Sequence, residues 1–204
     1  MTLLDNSGPI SIFSADYATE EPSSWEKLLS EEELKKAYAY TFHDKKSEFI
    51  ICRGIMKQLL SNYIKLPIQE IIIHYTPAGK PFLANEKAFF NISHSNGKAL
   101  FALSATTQMG IDIEMIRPIK ELFTIAKNYF SNEEKKILQN CSESEKEKTF
   151  FKLWTKKEAV LKAAGTGFNK PFPEPTSHYI IKELSPFPGY VGFLAYSATN
   201  RLFA

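Results

Sequence analysis

Apolar residues recur every three or four positions in two long stretches of the chain, which is the spacing of one helix face. The first stretch, 49–63, predicts an amphipathic helix that ends before Pro67. The second stretch, 150–164, predicts another, which Gly165 and Gly167 bring to an end. Each helix is therefore expected to bury one face and expose the other.

Two shorter helices are predicted from their first residues. Ser30 and Ser131 each stand three positions before a glutamate, Glu33 and Glu134, which is the spacing of a capping box. A further helix is predicted near 120–129, after the connection that Pro118 begins.

Runs that are rich in β-branched residues, or that alternate apolar with polar residues, predict strands between these helices. The runs are 10–13, 71–75, 88–92, 98–105, 110–114, 179–181 and 190–195. The Asn96-Gly97 pair suits a tight turn between two of them. Because helices precede strands in both halves, the sequence permits an α+β fold of two lobes, divided as 1–108 and 109–204.

Composition and charge narrow the class of protein. Of 204 residues, 44% are apolar and 24% are charged, as in globular proteins rather than disordered ones. The net charge of +2 argues against a dedicated nucleic-acid binder, although a local basic site stays compatible with it. Two cysteines, Cys52 and Cys141, are too few for a disulfide framework, so we expect free thiols in a reducing compartment.

We also expect the protein to lie in the cytoplasm without a membrane anchor. The first residues contain Asp5 and lack the basic and apolar runs of a signal peptide. The longest uncharged stretch of the second half, 185–200, is interrupted by prolines and glycines and is too short to span a bilayer.

The segment Ile111-Asp112-Ile113-Glu114 suggests a cation site. On a strand, the two isoleucines enter the core and the two carboxylates share the opposite face. Their mutual repulsion falls if a cation lies between them, and oxygen ligands favour Mg²⁺, Mn²⁺ or Ca²⁺. Taken alone, the segment more commonly indicates an edge strand that exposes a polar face.

A second candidate lies on the helix over 150–164. Trp154, Glu158 and Lys162 follow one another at four-residue intervals and therefore share one stripe of the helix. The stripe can present a further carboxylate and a cation to one site. The alternative is an ordinary surface ion pair, with Trp154 anchoring the core.

Two weaker signals are typical of anion binding. His94, flanked by Ser93 and Ser95 at a strand end, can donate hydrogen bonds to an anion, although a lone histidine is often structural. Lys80, between Gly79 and a proline, has a restricted backbone and can hold a phosphate, although an exposed turn has the same pattern. The other histidines lack ligand spacing, so zinc is not expected.

These four signals, in this order and spacing, resemble the 4'-phosphopantetheinyl transferase superfamily. The stretches that carry the resemblance are GKP at 79–81, FNISHS at 90–95, GIDIE at 110–114 and FxxxWTKKEAVLKAAGTG at 150–167. The chain resembles the surfactin-synthetase-activating, or Sfp-like, type, because it is much longer than the short holo-acyl-carrier-protein-synthase type.

The resemblance implies two similar, pseudo-duplicated α+β lobes in one chain, with the active site in the cleft between them. It implies transfer of the 4'-phosphopantetheine arm of coenzyme A to a serine of an apo acyl or peptidyl carrier protein, with Mg²⁺ and release of 3',5'-ADP. A monomer is expected, because a two-lobed chain supplies its own cleft.

The resemblance also implies roles for particular residues. Metal binding falls to Asp112, Glu114 and Glu158. Catalysis falls to Glu158, as a base on the carrier serine unless a metal-bound water takes that role, together with Lys162 and His94. Contacts with coenzyme A fall to Lys80, Ser93, His94 and Lys162.

The sequence departs from the family at the site of the 3'-phosphate of coenzyme A. Where the family often has basic residues, this chain has Glu33 and Glu48. Lys36 remains as a candidate contact, and Arg53 is a candidate substitute.

Two alternatives remain open at this point. One is a non-catalytic module of the same fold that binds coenzyme A or a carrier protein, although retention of the carboxylates and Lys162 argues against it. The other is a different Mg²⁺-dependent enzyme of phosphoryl or nucleotidyl transfer. The product distinguishes arm transfer from both alternatives, because only arm transfer releases 3',5'-ADP together with a modified carrier protein.

Overall fold

A computed structural model describes residues 1–6, 8–84, 87–166 and 178–197. The elements before residue 108 are β1 (Thr2–Asp5), β2 (Ser11–Asp16), α1 (Ser23–Glu26), α2 (Glu31–Tyr38), α3 (His43–Ile64), a 3₁₀ turn (Ile68–Glu70), β3 (Ile73–Tyr75), β4 (Pro81–Leu83), β5 (Phe89–Ser95) and β6 (Lys98–Ser104). The later elements are β7 (Met109–Met115), α4 (Leu122–Tyr129), α5 (Asn132–Asn140), a 3₁₀ turn (Glu143–Glu145), α6 (Lys146–Ala164), β8 (Tyr179–Leu184) and β9 (Tyr190–Ser197).

Local chemistry accounts for many element ends. Ser30 and Ser131 both form the predicted capping boxes, each with the glutamate three positions later. Gly165 ends α6 in the left-handed conformation at φ 70°, as predicted, whereas Gly167 lies outside the described residues. The Asn96-Gly97 turn has positive φ at both positions, 44° and 81°, which is the geometry of a tight hairpin.

The strands form two larger antiparallel sheets and a small ribbon. The first sheet has the order β1-β2-β6-β5, the second has the order β7-β9-β8, and β3 pairs with β4. The fold is therefore α+β, as predicted. The chain passes from the first sheet to the second between Ser104 and Met109, and the predicted division at 108/109 stays a prediction.

Each sheet packs a long helix on one face and the other sheet on its opposite face. The first sheet contacts α3 through residues such as Phe101, and the second contacts α6 through residues such as Phe193. The faces that meet between the sheets carry Ile12, Leu100 and Ile111, among other apolar side chains. The two sheets thus lie between the two helices, and the lobes share a buried interface.

The structure extends or adds to several sequence predictions. Helices α3 and α6 begin several residues earlier than the predicted 49 and 150. The strand predicted at 71–75 starts only at Ile73, after the 3₁₀ turn. Strands β1 and β4 and the short α1 were not predicted, because their few residues show neither period clearly. No helix in the described part of the chain is both long and apolar enough to cross a bilayer.

Candidate functional site

The two sheets are joined by polar side chains that pass from β5 to β7. Asn91 Oδ1 accepts a hydrogen bond from the backbone N–H of Ile111 at 2.8 Å. Two positions later, Ser93 Oγ donates to Asp112 Oδ1 at 2.6 Å, and two later again, Ser95 Oγ donates to Glu114 Oε2 at 2.8 Å. Every second residue of β5 therefore contacts β7, as the period of a strand requires.

Asp112 is the most enclosed carboxylate of this joint, with 3% of the residue exposed. Its Oδ1 accepts from Ser93 and from Lys162 Nζ, each at 2.6 Å. Its Oδ2 is buried and accepts no hydrogen bond from the residues that the structure describes. One side of this carboxylate is thus satisfied, while the other leaves an unpartnered oxygen, which is costly unless a donor or a cation meets it.

Helix α6 reaches the joint because of a glycine in β7. A Cβ atom at Gly110 would lie 2.1 Å from the Ala159 carbonyl oxygen and 2.3 Å from the Ala163 nitrogen. Only a residue without a side chain allows strand and helix to approach so closely. This approach brings Lys162 against Asp112, 50 residues away in the chain.

Glu158 lies one turn before Lys162 on α6 and is half-buried. Burial raises its pKa to about 7, and the charges of Asp112 and Glu114 act in the same direction, while Lys162 partly opposes them. The structure therefore brings together the three predicted carboxylates and the predicted lysine.

The three carboxylates are not already arranged around one point as the ligands of a bound cation would be. Among the described residues, no three histidine, cysteine or acidic side chains already form a metal-binding group. Lys162 donates a hydrogen bond to Asp112 Oδ1. Glu114 Oε2 accepts hydrogen bonds from Ser95 and, at 3.4 Å, from Arg117. The like charges are thus balanced here by protein donors.

A cavity of about 230 Å³ opens beside this group. Among its lining residues are Lys80, Asn91, Glu158 and Lys162. A second cavity of about 330 Å³ shares Lys80 and the α6 end with the first, and it is lined mainly by apolar side chains. The cavities therefore adjoin at Lys80.

Lys80 points its ammonium group at backbone carbonyls. Nζ donates to Lys162 O at 2.7 Å and, more weakly, to Met109 O at 3.3 Å and Ala163 O at 3.4 Å. Burial lowers its pKa to about 8. In this arrangement Lys80 ties the β3–β4 ribbon to the C-terminal end of α6, where a cation is favoured. Its contact with a phosphate stays a prediction.

Ser93 and His94 lie on opposite faces of β5. Ser93 turns to β7, whereas His94 turns to α3, where its Nδ1 lies 3.3 Å from Glu48 Oε1. The side chain of His94 is 37% exposed, against 16% for Glu48. The two predicted phosphate contacts are therefore not neighbours on one surface.

The carboxylate of Glu48 is fully engaged inside the first lobe. Tyr17 Oη donates to Oε2 at 3.0 Å, and Lys45 Nζ donates to Oε1 at 2.9 Å. Burial alone would raise the pKa of Glu48, but the bonds from His94, Lys45 and Tyr17 lower it to about 2. The acidic residue therefore stays charged and paired.

Glu33, the other acidic departure, is paired as well. Its Oε2 accepts from Lys57 Nζ at 3.1 Å, and Arg53 Nη1 lies 3.6 Å from Oε1. Lys57 is almost fully buried, with 2% of the residue exposed. Neither Glu33 nor Glu48 thus presents an isolated negative charge to the surface.

Two cations and two rings form a cluster beside these pairs. Lys36 Nζ lies 3.8 Å from the ring centre of Tyr75 and 5.6 Å from that of Phe49. Arg53 contacts both rings and donates to the Tyr75 hydroxyl. Lys36 and Arg53 therefore stand together, on the first lobe, as a cationic and aromatic surface.

Sequence reasoning missed several residues of the site. Asn91 and Ser95 were part of a motif but had no assigned contact, and Tyr17 carried no signal at all. Gly110 could have been found, because an isolated glycine inside a strand often marks a close backbone approach.

Comparison with known proteins gives matches in both halves of the chain. A family model described as "4'-phosphopantetheinyl transferase, N-terminal" matches residues 18–107. A second, described as "4'-phosphopantetheinyl transferase superfamily", matches residues 108–187.

Individual relatives carry the same name. The 4'-phosphopantetheinyl transferase HetI of Nostoc sp. is 38% identical over 146 residues, which are 70% of this chain and 62% of HetI. The transferase Sfp of Bacillus subtilis is 28% identical over 153 residues, 74% of this chain and 67% of Sfp. AcpT of Escherichia coli is 33% identical over 114 residues, 55% of this chain and 57% of AcpT. The chain thus spans less than two thirds of the length of HetI and of AcpT.

Proposed function

The chain belongs to the 4'-phosphopantetheinyl transferase superfamily, and on that premise we propose that it transfers the 4'-phosphopantetheine arm of coenzyme A to a serine of an apo carrier protein. The observation that carries the proposal is the joint of the two lobes. There, buried Asp112 lies between Ser93 of one lobe and Lys162 of the other, and Glu158 and a cavity lie beside it.

In the proposed reaction, the serine oxygen of the carrier attacks the phosphorus next to the pantetheine. A new P–O bond forms, the bridging P–O bond of the pyrophosphate breaks, and 3',5'-ADP leaves with the bridging oxygen. Glu158 accepts the serine proton, and its pKa of about 7 suits a base that works near neutral pH. The nucleophile belongs to the partner, so this chain needs no activated serine or cysteine of its own.

Lys162 and the first-lobe cations would bind the negative charge of coenzyme A. Lys162 lines the cavity and would offset charge that develops on the pyrophosphate. His94, Ser93 and Lys80 are proposed as further phosphate contacts. For the 3'-phosphate, we favour the surface that Lys36 and Arg53 share.

The acidic residues fit a divalent cation of the Mg²⁺ type. Asp112, Glu114 and Glu158 offer hard oxygen ligands, and the buried, unpartnered Oδ2 of Asp112 is the kind of atom that a cation satisfies. When bound, Mg²⁺ would stabilise negative charge on the pyrophosphate oxygens.

We further propose that the chain acts as a monomer in the cytoplasm, on an apo acyl or peptidyl carrier protein. Both lobes of the candidate site come from one chain, which supports a monomer. Free thiols at Cys52 and Cys141 suit a reducing compartment.

The test is intact-protein mass spectrometry of an apo acyl carrier protein incubated with this chain, coenzyme A and Mg²⁺. We expect the carrier to gain one phosphopantetheine arm, and we expect EDTA to prevent the gain. Glu158→Gln should lose the activity, whereas Glu147→Gln, three turns earlier on α6, should keep it.

Other outcomes would point to the alternatives. Coenzyme A that binds to the chain but never reaches any of several carriers would favour a non-catalytic binding module. Release of inorganic phosphate or pyrophosphate, without 3',5'-ADP, would favour a different class of phosphoryl transfer.

A further inference from the structure

Glu48 is acidic, yet it contacts His94, a proposed phosphate contact. We propose that Glu48 is a positioning residue for His94, whose ring it holds with one nitrogen directed to a phosphate of coenzyme A. The inference rests on the proposed function, because it takes coenzyme A as the ligand.

The first step is the orientation of the ring. His94 Nδ1 lies 3.3 Å from Glu48 Oε1, so this nitrogen donates its hydrogen to the carboxylate. The other nitrogen, Nε2, is then the one that a ligand can meet. More than a third of the His94 side chain is exposed, so the ring is accessible from outside the lobe.

The second step is the rigidity of the carboxylate. Tyr17 holds one oxygen of Glu48 and Lys45 holds the other, at 3.0 Å and 2.9 Å. Glu48 itself is only 16% exposed. A carboxylate fixed at both oxygens can impose one orientation on the imidazole, as the outer partners of ligand histidines do.

The third step is the local charge. The groups that face His94 or its partner are Glu48, Lys45, Cys52 and Arg53 from α3 and Tyr17 from the end of β2. The Cys52 thiol is buried and uncharged, since burial raises its pKa. Lys45 bonds to Glu48, and Arg53 lines the same small cavity as His94, so these two cations attract a phosphate that lies at Nε2.

A positioning role for Glu48 predicts that neutralising Glu48 changes anion binding in the direction opposite to simple electrostatics. Removing a negative charge beside an anion site should strengthen binding of the anion by simple electrostatics. If Glu48 keeps the His94 ring oriented toward the ligand, its removal should instead weaken binding. The sign of the effect therefore separates a positioning role from mere proximity.

The experiment measures coenzyme A binding to the full chain by calorimetry, without a carrier protein. We expect Glu48→Gln to weaken binding by about tenfold. Glu48→Asp should recover part of the loss. The matched control is Asp44→Asn, which removes a fully exposed carboxylate from the first turn of the same helix and should leave binding unchanged or slightly tighter.

A double variant tests the route through the ring. Once His94→Gln has removed the imidazole, adding Glu48→Gln should cause no further weakening. Binding by Glu48→Gln alone that equals or exceeds wild-type binding would overturn the inference, and so would an equal further loss in the double variant.

Nitrogen-15 NMR of the His94 ring gives a second test that needs no variant to fold. In the wild-type chain we expect a proton on Nδ1, donated to Glu48, and a shift of the Nε2 signal when coenzyme A is added. An Nδ1 without a proton, or an Nε2 signal that does not change with coenzyme A, would overturn the inference.

The inference and the proposed function fail in different ways. A wild-type chain that modifies a carrier while Glu48→Gln binds coenzyme A normally would refute only the role of Glu48. A chain that binds coenzyme A through His94 but modifies no carrier would support that role and refute the transfer. A chain that binds no coenzyme A would refute both.

Discussion

The carboxylates of the two lobes occupy opposite electrostatic surroundings. In the first lobe, Glu33 lies beside Lys57 and Arg53, and Glu48 lies beside Lys45 and His94. The hydrogen bonds of Glu48 outweigh burial and lower its pKa to about 2. In the second lobe, burial and two neighbouring carboxylates raise the pKa of Glu158 to about 7.

The difference separates carboxylates that stabilise the fold from carboxylates whose surroundings suit a ligand site. In the first lobe, Glu33 and Glu48 each pair with a lysine, which stabilises the fold, although Oε1 of Glu33 is buried and accepts no hydrogen bond from the described residues. In the second lobe, Lys162 is the cation beside both Asp112 and Glu158, and Oδ2 of Asp112 accepts no hydrogen bond from the described residues. Such an arrangement costs stability and is typical of a functional site.

The largest expected effect comes from neutralising the second-lobe group. Glu158→Gln should lower kcat/KM for arm transfer by about 10³-fold. It should also raise the free energy of unfolding at alkaline pH. The folded pKa of Glu158 lies above the model-peptide value, so its ionisation destabilises the fold as pH rises through about 7, and glutamine does not ionise.

Steady-state kinetics and urea unfolding in the same buffer check both parts of this prediction. A Glu158→Gln protein that is active, or one that is less stable than wild type at alkaline pH, would contradict the difference proposed between the carboxylates of the two lobes.

The next effect comes from the contact of β7 with α6. Gly110→Ala places a methyl group against backbone atoms of Ala159 and Ala163, so strand and helix must separate. We expect destabilisation by about 3 kcal/mol, measured by urea unfolding, with loss of transfer because Asp112 and Lys162 part. Gly8→Ala, where nothing lies within 4 Å of the new atom, should change stability by less than about 0.5 kcal/mol.

A smaller effect is expected from the first-lobe pair. Lys57→Met leaves the more distant Arg53 as the cation beside the buried Glu33, and should cost about 2 kcal/mol of unfolding free energy. Kinetics at saturating coenzyme A should stay close to wild type. Adding Glu33→Gln should restore part of the stability, and a double variant less stable than Lys57→Met would show that the pair is not the cause.

The smallest effect is a pH dependence. Because the folded pKa of Glu48 is lowered from 4.5 to about 2, its stabilisation is complete above pH 4.5 and is lost as pH falls toward 2. Between about pH 6 and about pH 3, wild type should lose about 1 kcal/mol more than Glu48→Gln, after allowance for solvent screening of a half-buried group. Parallel losses in urea titrations would contradict the lowered pKa.

Much of the fold was predictable because its causes are local. The capping boxes at Ser30 and Ser131, the Asn96-Gly97 hairpin and the helix periods each depend on residues a few positions apart. Alternation along β7 also predicted that Asp112 and Ile111 would face opposite ways, and they do. The short elements β1, β4 and α1 escaped prediction, because three or four residues hold too little pattern.

The candidate site was predictable as a set of residues but not as a set of contacts. The motif order identified Asp112, Glu158 and Lys162, and the structure brings them together. It did not reveal that Ser93 turns to Asp112 while His94 turns to Glu48, or that Lys80 caps the end of α6. Those partners lie on elements far apart in the chain.

The amino-acid sequence by itself determined where the longer helices and most strands lie and which of their residues face the core. It also determined the family, through motifs whose spacing survives without coordinates. The tertiary structure decided which charges meet: Glu33 and Glu48 looked like obstacles to an anion and proved to be paired with lysines. The physical reason is range, since periodicity acts over a few residues, whereas a charge finds its partner only when distant elements pack.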